Sequence, residues 1–215
     1  MKLQKIAIVD YGVGNLYSVQ RALEHSGATE VCITSSPNEI LDSDKLILPG
    51  VGAFCDGMNG LESRNLTDPI IEFANSGKPL LGICLGMQLL ATSSEEFGSH
   101  NGLGLIPGKV VPIPSESDDG NLRKIPHIGW ASLEPPHRDA WLHPIIDSLS
   151  REDSVYLVHS FHMQPTDHAN LLATYEYRGY QITAAVISNN IFGYQFHPEK
   201  SGPVGLRLIK NFLNY

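Results

Sequence analysis

Four short apolar runs alternate with segments of helical periodicity over the first ninety residues, and few architectures accommodate that pattern. Lys5 to Val9, Glu30 to Thr34, Lys45 to Leu48 and Pro79 to Ile83 read as strands. Leu16, Val19 and Leu23 recur at helical spacing with Gly27 as a stop, and Asn65 to Asn75 reads as a helix ended by Gly77. A further helix is expected from about Leu85 to Ser93. Alternation with connections this short predicts a largely parallel sheet with helices packed on it. Such sheets carry their chemistry at the carboxyl ends of the strands. Asp10–Asn15, Pro49–Gly52 and Cys84 each follow a strand, so three segments converge on one rim.

The second half has a different texture. Leu171 to Phe196 reads as strand, Arg178-Gly179 turn, strand, Asn189-Asn190 turn, strand, which is an antiparallel meander. A last helix follows, with Leu206, Ile209 and Leu213 on one face. Ser115–Asn121 and Pro135–Asp139 read as exposed loops. The expectation is one α/β domain over residues 1–215: an open, mostly parallel central sheet flanked by helices, with an antiparallel section toward the C-terminus.

Fifteen basic residues against twenty-three acidic ones leave a net charge of −8, with no basic cluster, which argues against nucleic acid as a partner. No apolar run approaches the roughly 18 residues of a membrane span. The N-terminal residues lack the apolar stretch of a secretory signal. Cys32, Cys55 and Cys84 are few, odd in number and spaced for neither a disulfide framework nor a metal knuckle. A cytoplasmic chain with free thiols, no metal and no cofactor is expected.

Gly82-Ile83-Cys84-Leu85-Gly86 is the sharpest local signal. It has the form glycine–x–nucleophile–x–glycine between a strand and a helix, with cysteine where α/β hydrolases carry serine. A nucleophile on so tight a turn has a strained backbone, and side chains two residues away on either side would strike neighbouring backbone. The adjoining helix start favours a thiolate. Taken alone, such a cysteine is as readily a structural residue at a tight turn; the glycine pair and the strand–helix context favour chemistry. Cys32, inside a strand pattern, and Cys55, in an expected loop, read as structural or incidental.

A thiol nucleophile needs a base, and the base needs an orienting group. Of nine histidines, His25, His100, His137, His143 and His168 sit in polar, exposed-looking settings. His159 and His162 are three apart, which on a strand puts them on opposite faces and disfavours a shared metal. His197 closes the last apolar strand, and Glu199 stands two positions on. In extended structure those side chains share a side, and Pro198 favours extension at His197. On its own His-Pro-Glu is an ordinary turn; beside a cysteine elbow it is the natural partner.

Gly82–Gln88 and Phe196–Glu199 together resemble the class I (triad) glutamine amidotransferases. Within that class, Asp10–Asn15, Pro49–Phe54, Pro126–Trp130, Val155–Ser160 and Pro198–Ser201 resemble, in order and across nearly the whole chain, the glutaminase subunits of imidazole glycerol phosphate synthase. Departures from the family pattern are Ala131, His162 and a longer Ser115–Asn121 loop.

The resemblance implies that Cys84 attacks the side-chain amide of glutamine, with His197 as base and Glu199 as its orienter. It implies oxyanion donors at Val51, Gly52 and Leu85; a flip of the Gly50–Val51 peptide that completes them only when the partner is loaded is a hypothesis beside it. It places glutamine near Gly50, Gly52, Gln88, Glu96, Ser160 and Phe161. It names as partner a (β/α)8-barrel cyclase subunit in a heterodimer, met at Asn15, Trp130, Tyr156 and Lys200, since no residues remain here for a synthase domain. The rival readings are the glutaminase of another synthase such as that of pyridoxal phosphate, a non-catalytic binding subunit on the same fold, and a cysteine hydrolase or peptidase.

Overall fold

The computed structural model describes residues 4–116, 120 and 122–215. The chain opens with β1 (Lys5–Val9), α1 (Leu16–His25), β2 (Glu30–Thr34), α2 (Pro37–Asp42) and β3 (Lys45–Gly50). Then come α3 (Phe54–Ser63), α4 (Thr67–Asn75), β4 (Leu80–Cys84) and α5 (Leu85–Leu89). Next are β5 (Ala91–Ser94), β6 (His100–Asn101), β7 (Ile106–Pro112), β8 (His127–Ser132), β9 (Ser154–His159) and β10 (Phe161–Pro165). The chain closes with β11 (Leu171–Tyr177), β12 (Tyr180–Ser188), β13 (Ile191–Tyr194) and α6 (Gly202–Asn214).

Seven strands form the central sheet in the order β11-β12-β13-β4-β3-β1-β2. Pairing is parallel from β13 through β4, β3 and β1 to β2, and antiparallel across β11, β12 and β13. The expected meander therefore exists and extends the parallel sheet along one edge.

Strand alternation divides the core. Ile6 and Ile8 of β1 and Ile47 of β3 pack with Val19 and Leu23 of α1 and Leu208 and Phe212 of α6. Ala7 and Val9 of β1 and Leu46 and Leu48 of β3 pack with Ile40 of α2, Leu61 of α3 and Phe73 of α4. Successive residues of a strand face opposite sides, so the sheet is buried on both faces, as parallel sheets require.

Several sequence expectations are corrected. The helix expected over Leu85–Ser93 ends at Leu89, and Ala91–Ser94 is a strand. That strand pairs with β6 and β7 in a second sheet of order β10-β7-β5-β6. Small residues such as these take their state from the strands beside them. Cys55 lies in α3 rather than in a loop. His100 and His143 are half-buried rather than exposed. Of the expected Ser115–Asn121 loop, residues 117–119 and 121 lie outside the described residues. Among the described residues, no helix is long and apolar enough to cross a membrane.

Candidate active site

The parallel strands β1, β3, β4 and β13 all deliver their carboxyl ends to one rim, where Asp10–Asn15, Gly50–Gly52, Cys84 and Gln195–His197 follow them. Register sets the neighbours of the cysteine. Gly50 pairs with Cys84 on one side, and Tyr194 pairs with Ile83 on the other.

Cys84 takes φ 55° and ψ −111°, a left-handed backbone rare outside glycine. Conformations of that kind cost about 1–3 kcal/mol and persist where surrounding structure enforces them. Here the enforcement is close packing at the two flanking glycines. A Cβ on Gly86 would stand 1.7 Å from the Leu48 carbonyl oxygen, and one on Gly82 would stand 2.7 Å from the Gly86 oxygen and the Met87 nitrogen.

His197 and Glu199 come together as expected, by a different local route. His197 itself is extended (φ −97°, ψ 97°), but Pro198–Lys200 form a single 3-10 turn rather than continuing the strand. The turn brings His197 Nδ1 within 2.9 Å of Glu199 Oε1, with both side chains almost wholly buried. A carboxylate accepts, so Nδ1 donates and Nε2 is the nitrogen left for chemistry. Nε2 is buried and has no hydrogen-bond partner among the described residues. Burial opposes the charged imidazolium, but the neighbouring Cys84 and Glu199 outweigh it and push His197 up to about 9. The turn is stitched to β9: the His197 amide donates to the Tyr156 carbonyl at 3.0 Å, and Ser201 Oγ, which donates to the His197 carbonyl at 2.7 Å, accepts the Tyr156 amide at 3.0 Å.

Cys84 and His197 line one cleft of about 270 Å³ together with Val51, Gly52, Leu85, Gln88, Glu96, Ser160 and Phe161. Gly50 lies beside Cys84 at the end of β3, where a Cβ would meet the Tyr11 hydroxyl at 2.2 Å. Val51 is exposed and Gly52 has φ +108°. Glu96 is buried, and its Oε2 accepts the Phe54 amide at 2.6 Å. The residues expected at a partner surface lie outside the cleft. Trp130 and Tyr156 pair across β8 and β9 with ring centroids 6.1 Å apart, Trp130 is 57% exposed, and Asn15 and Lys200 are exposed.

Sequence reasoning missed residues that surround this set. Pro126, Val158 and His159 also line the cleft. Tyr175 Oη lies 2.8 Å from His159 Nε2 and 2.9 Å from His127 Nδ1. Burial pushes His159 down to about 3 and His162 to about 4. Gln195, wholly buried, was also missed. It stands two residues before His197, so the alternation rule applied forward to Glu199 finds it when applied backward. Among the described residues, no cluster of His, Cys, Asp and Glu suits a metal ion.

Residues 7–214 match the family described as glutamine amidotransferase class-I. A protein of Legionella pneumophila (strain Lens) named imidazole glycerol phosphate synthase subunit HisH 1 is 51% identical over 98% of this chain and 99% of its own length. A HisH subunit of the same synthase from Syntrophotalea carbinolica is 47% identical over 96% of this chain and 98% of its own. Among solved structures, PurLQS from Thermotoga maritima superposes with a TM-score of 0.70 at 22% identity, covering 99% of each chain, which bears on the fold alone.

Proposed function

We propose that this chain, which belongs to the class-I glutamine amidotransferase family, hydrolyses glutamine at Cys84 and hands the ammonia to a (β/α)8-barrel cyclase. It is the glutaminase subunit of an imidazole glycerol phosphate synthase, in keeping with full-length relatives of that name at 44–51% identity. The observation that carries the catalytic assignment is the meeting, in one cleft, of a strained cysteine and a histidine backed by a buried carboxylate.

Cys84 Sγ attacks the carboxamide carbon of glutamine, and His197 Nε2 takes the thiol proton. The tetrahedral oxyanion is met by backbone N–H groups of Val51, Gly52 and Leu85, with the Gly50–Val51 peptide turning to aim its donor. His197 returns the proton to the departing nitrogen, which leaves as ammonia. Water then attacks the thioester, releasing glutamate and the thiol. Glu199 holds Nδ1–H throughout and stabilises the imidazolium. Gly50, Gly52, Gln88, Ser160 and Phe161 shape the glutamine site, and Glu96 is the carboxylate in the cleft wall suited to a substrate ammonium.

Ammonia released to neutral water is protonated and loses its nucleophilicity, which favours direct delivery to a synthase. The exposed Trp130, with Tyr156, Asn15 and Lys200, is the proposed contact with the cyclase. The Tyr156–His197 backbone bond ties that surface to the base. A cytoplasmic setting fits free cysteines and a biosynthetic role. Cys84 and His197 on one cleft, with Glu199 held against His197, argue against a non-catalytic subunit.

A glutamine-mimicking chloroketone tests the nucleophile. It is expected to modify Cys84 and to leave Cys84→Ala unmodified. Modification confined to Cys32 or Cys55 would overturn the assignment.

A further inference from the structure

Behind Cys84 runs a set of hydrogen bonds whose direction is forced by its end groups. The Phe161 carbonyl can only accept. It receives His159 Nδ1 at 2.8 Å and Gln88 Nε2 at 3.0 Å. The Gln88 NH2 therefore faces Phe161, and it also donates to Gln195 Oε1 at 3.0 Å. That turns the Gln195 NH2 the other way, 3.9 Å from Cys84 Sγ. Reversing Gln195 alone sets its NH2 against the NH2 of Gln88, and reversing both sets the Gln88 oxygen against the Phe161 oxygen. The carbonyl at the head of the chain is itself held. His159 Nδ1 carries the proton, so its Nε2 accepts from the Tyr175 hydroxyl at 2.8 Å, and Tyr175 accepts from His127 Nδ1 at 2.9 Å.

We propose that Gln195 is a catalytic residue, its side-chain N–H binding the Cys84 sulfur as charge develops there, and that Gln88 is a positioning residue that aims it. The proposal rests on the reading of Cys84 as nucleophile. An N–H bond to an ionised acceptor is roughly twice as strong as one to a neutral acceptor, so the contact favours thiolate over thiol. Gln195 takes no proton; that goes to His197. The donor acts again when the thioester is hydrolysed and sulfur leaves as thiolate. Because Gln195 is wholly buried and follows the β13 residue paired with Ile83, its amide is in place before substrate arrives.

The test is the rate of Cys84 alkylation by iodoacetamide against pH, without glutamine, read by mass spectrometry of the Cys84 peptide. Gln195→Met keeps the length and loses the donor, and its alkylation midpoint should rise by about one pH unit. Its kcat for glutamine hydrolysis should fall about tenfold, with KM little changed. Gln88→Met keeps the Gln195 donor but frees it to turn, so its midpoint should rise by less. Unchanged midpoints in both folded variants would overturn the proposal; if Gln195→Met does not fold, an unchanged midpoint in Gln88→Met alone would do so. Glutamine hydrolysis persisting in Cys84→Ala is a separate result, which sinks the nucleophile reading instead.

Discussion

The backbone at Cys84 is held left-handed so that its sulfur stands at the strand end, beside His197, whose Nδ1 is fixed by the Glu199 carboxylate. Two predictions belong at this scale. Cys84→Ala should abolish glutamate release while leaving the circular dichroism spectrum unchanged; hydrolysis that survives would place the nucleophile elsewhere. Glu199→Gln keeps the shape but no longer holds the Nδ1 proton with a charge. It should lower kcat by roughly 10²- to 10⁴-fold with a small change in KM. A loss seen only in KM would make Glu199 a substrate contact. The triad was legible in the sequence because each member sits in a local pattern with a physical reason: glycines around Cys84, and two-residue spacing about Pro198. The 3-10 turn at Pro198–Lys200 was not legible, since Pro198 sets the backbone before it but not the turn after it. The contacts of Gln195 with Gln88 and Cys84 span more than a hundred residues of sequence, so no local pattern shows them.

Among the secondary-structure elements, close approach decides both stability and legibility. The turn between β4 and α5 lies so near β3 that a methyl at position 86 meets backbone, which has no rotamer to escape into. Gly86→Ala should therefore cost about 3 kcal/mol or more in urea unfolding, the top of the overpacking range; an unchanged midpoint would refute the packing argument. Helix α3 escaped sequence reading because it carries Gly57 and Gly60, both poor helix formers. The structure gives the reason for those residues: a Cβ at 57 would stand 3.1 Å from Leu85 and one at 60 would stand 2.6 Å from the Tyr11 carbonyl.

Strand β9 and the neighbouring β10 carry the buried His159 and His162, and these give a pH signature. His159 and His162 are held to about 3 and about 4 by burial. The unfolded chain binds protons there below its ordinary value of about 6.5, while the folded chain refuses them. Their contribution is thus intact above about pH 6.5 and lost from there down to about 3 for His159 and about 4 for His162, by up to about 1.4 kcal/mol per pH unit for each histidine. His197 works the other way: raised to about 9, its contribution is intact below about 6.5 and lost as pH rises through 9. Urea midpoints across pH 4–9 should peak near 6.5 and fall on both sides, with the acid limb flattened in His162→Gln. A stability flat from pH 7 down to 4.5 would contradict the burial argument.

The whole molecule has two faces of one sheet buried under helices, and a β8–β9 ribbon that leaves Ile128 and Trp130 more than half exposed. Large apolar side chains left out on a rigid ribbon mark a docking surface better than a folding core. Trp130→Ala should weaken binding to the cyclase by about 2 kcal/mol, some thirtyfold, with little change in the chain's own stability. Equal losses in binding and stability would return Trp130 to the core. The parallel sheet and its rim were legible at this scale from the strand–helix alternation. The second sheet was not, because β5 read as the end of a helix and β7 pairs with the distant β10; the strands of the ribbon were, but not their pairing with each other.

The most direct measurement is glutamate release from glutamine by this chain alone and then with the cyclase subunit and its phosphoribosyl-formimino carboxamide ribonucleotide substrate. Strong stimulation by the loaded cyclase, lost in Cys84→Ala, is the predicted result. Hydrolysis indifferent to that cyclase, or absent in both conditions, would contradict the assignment of this chain as its glutaminase subunit.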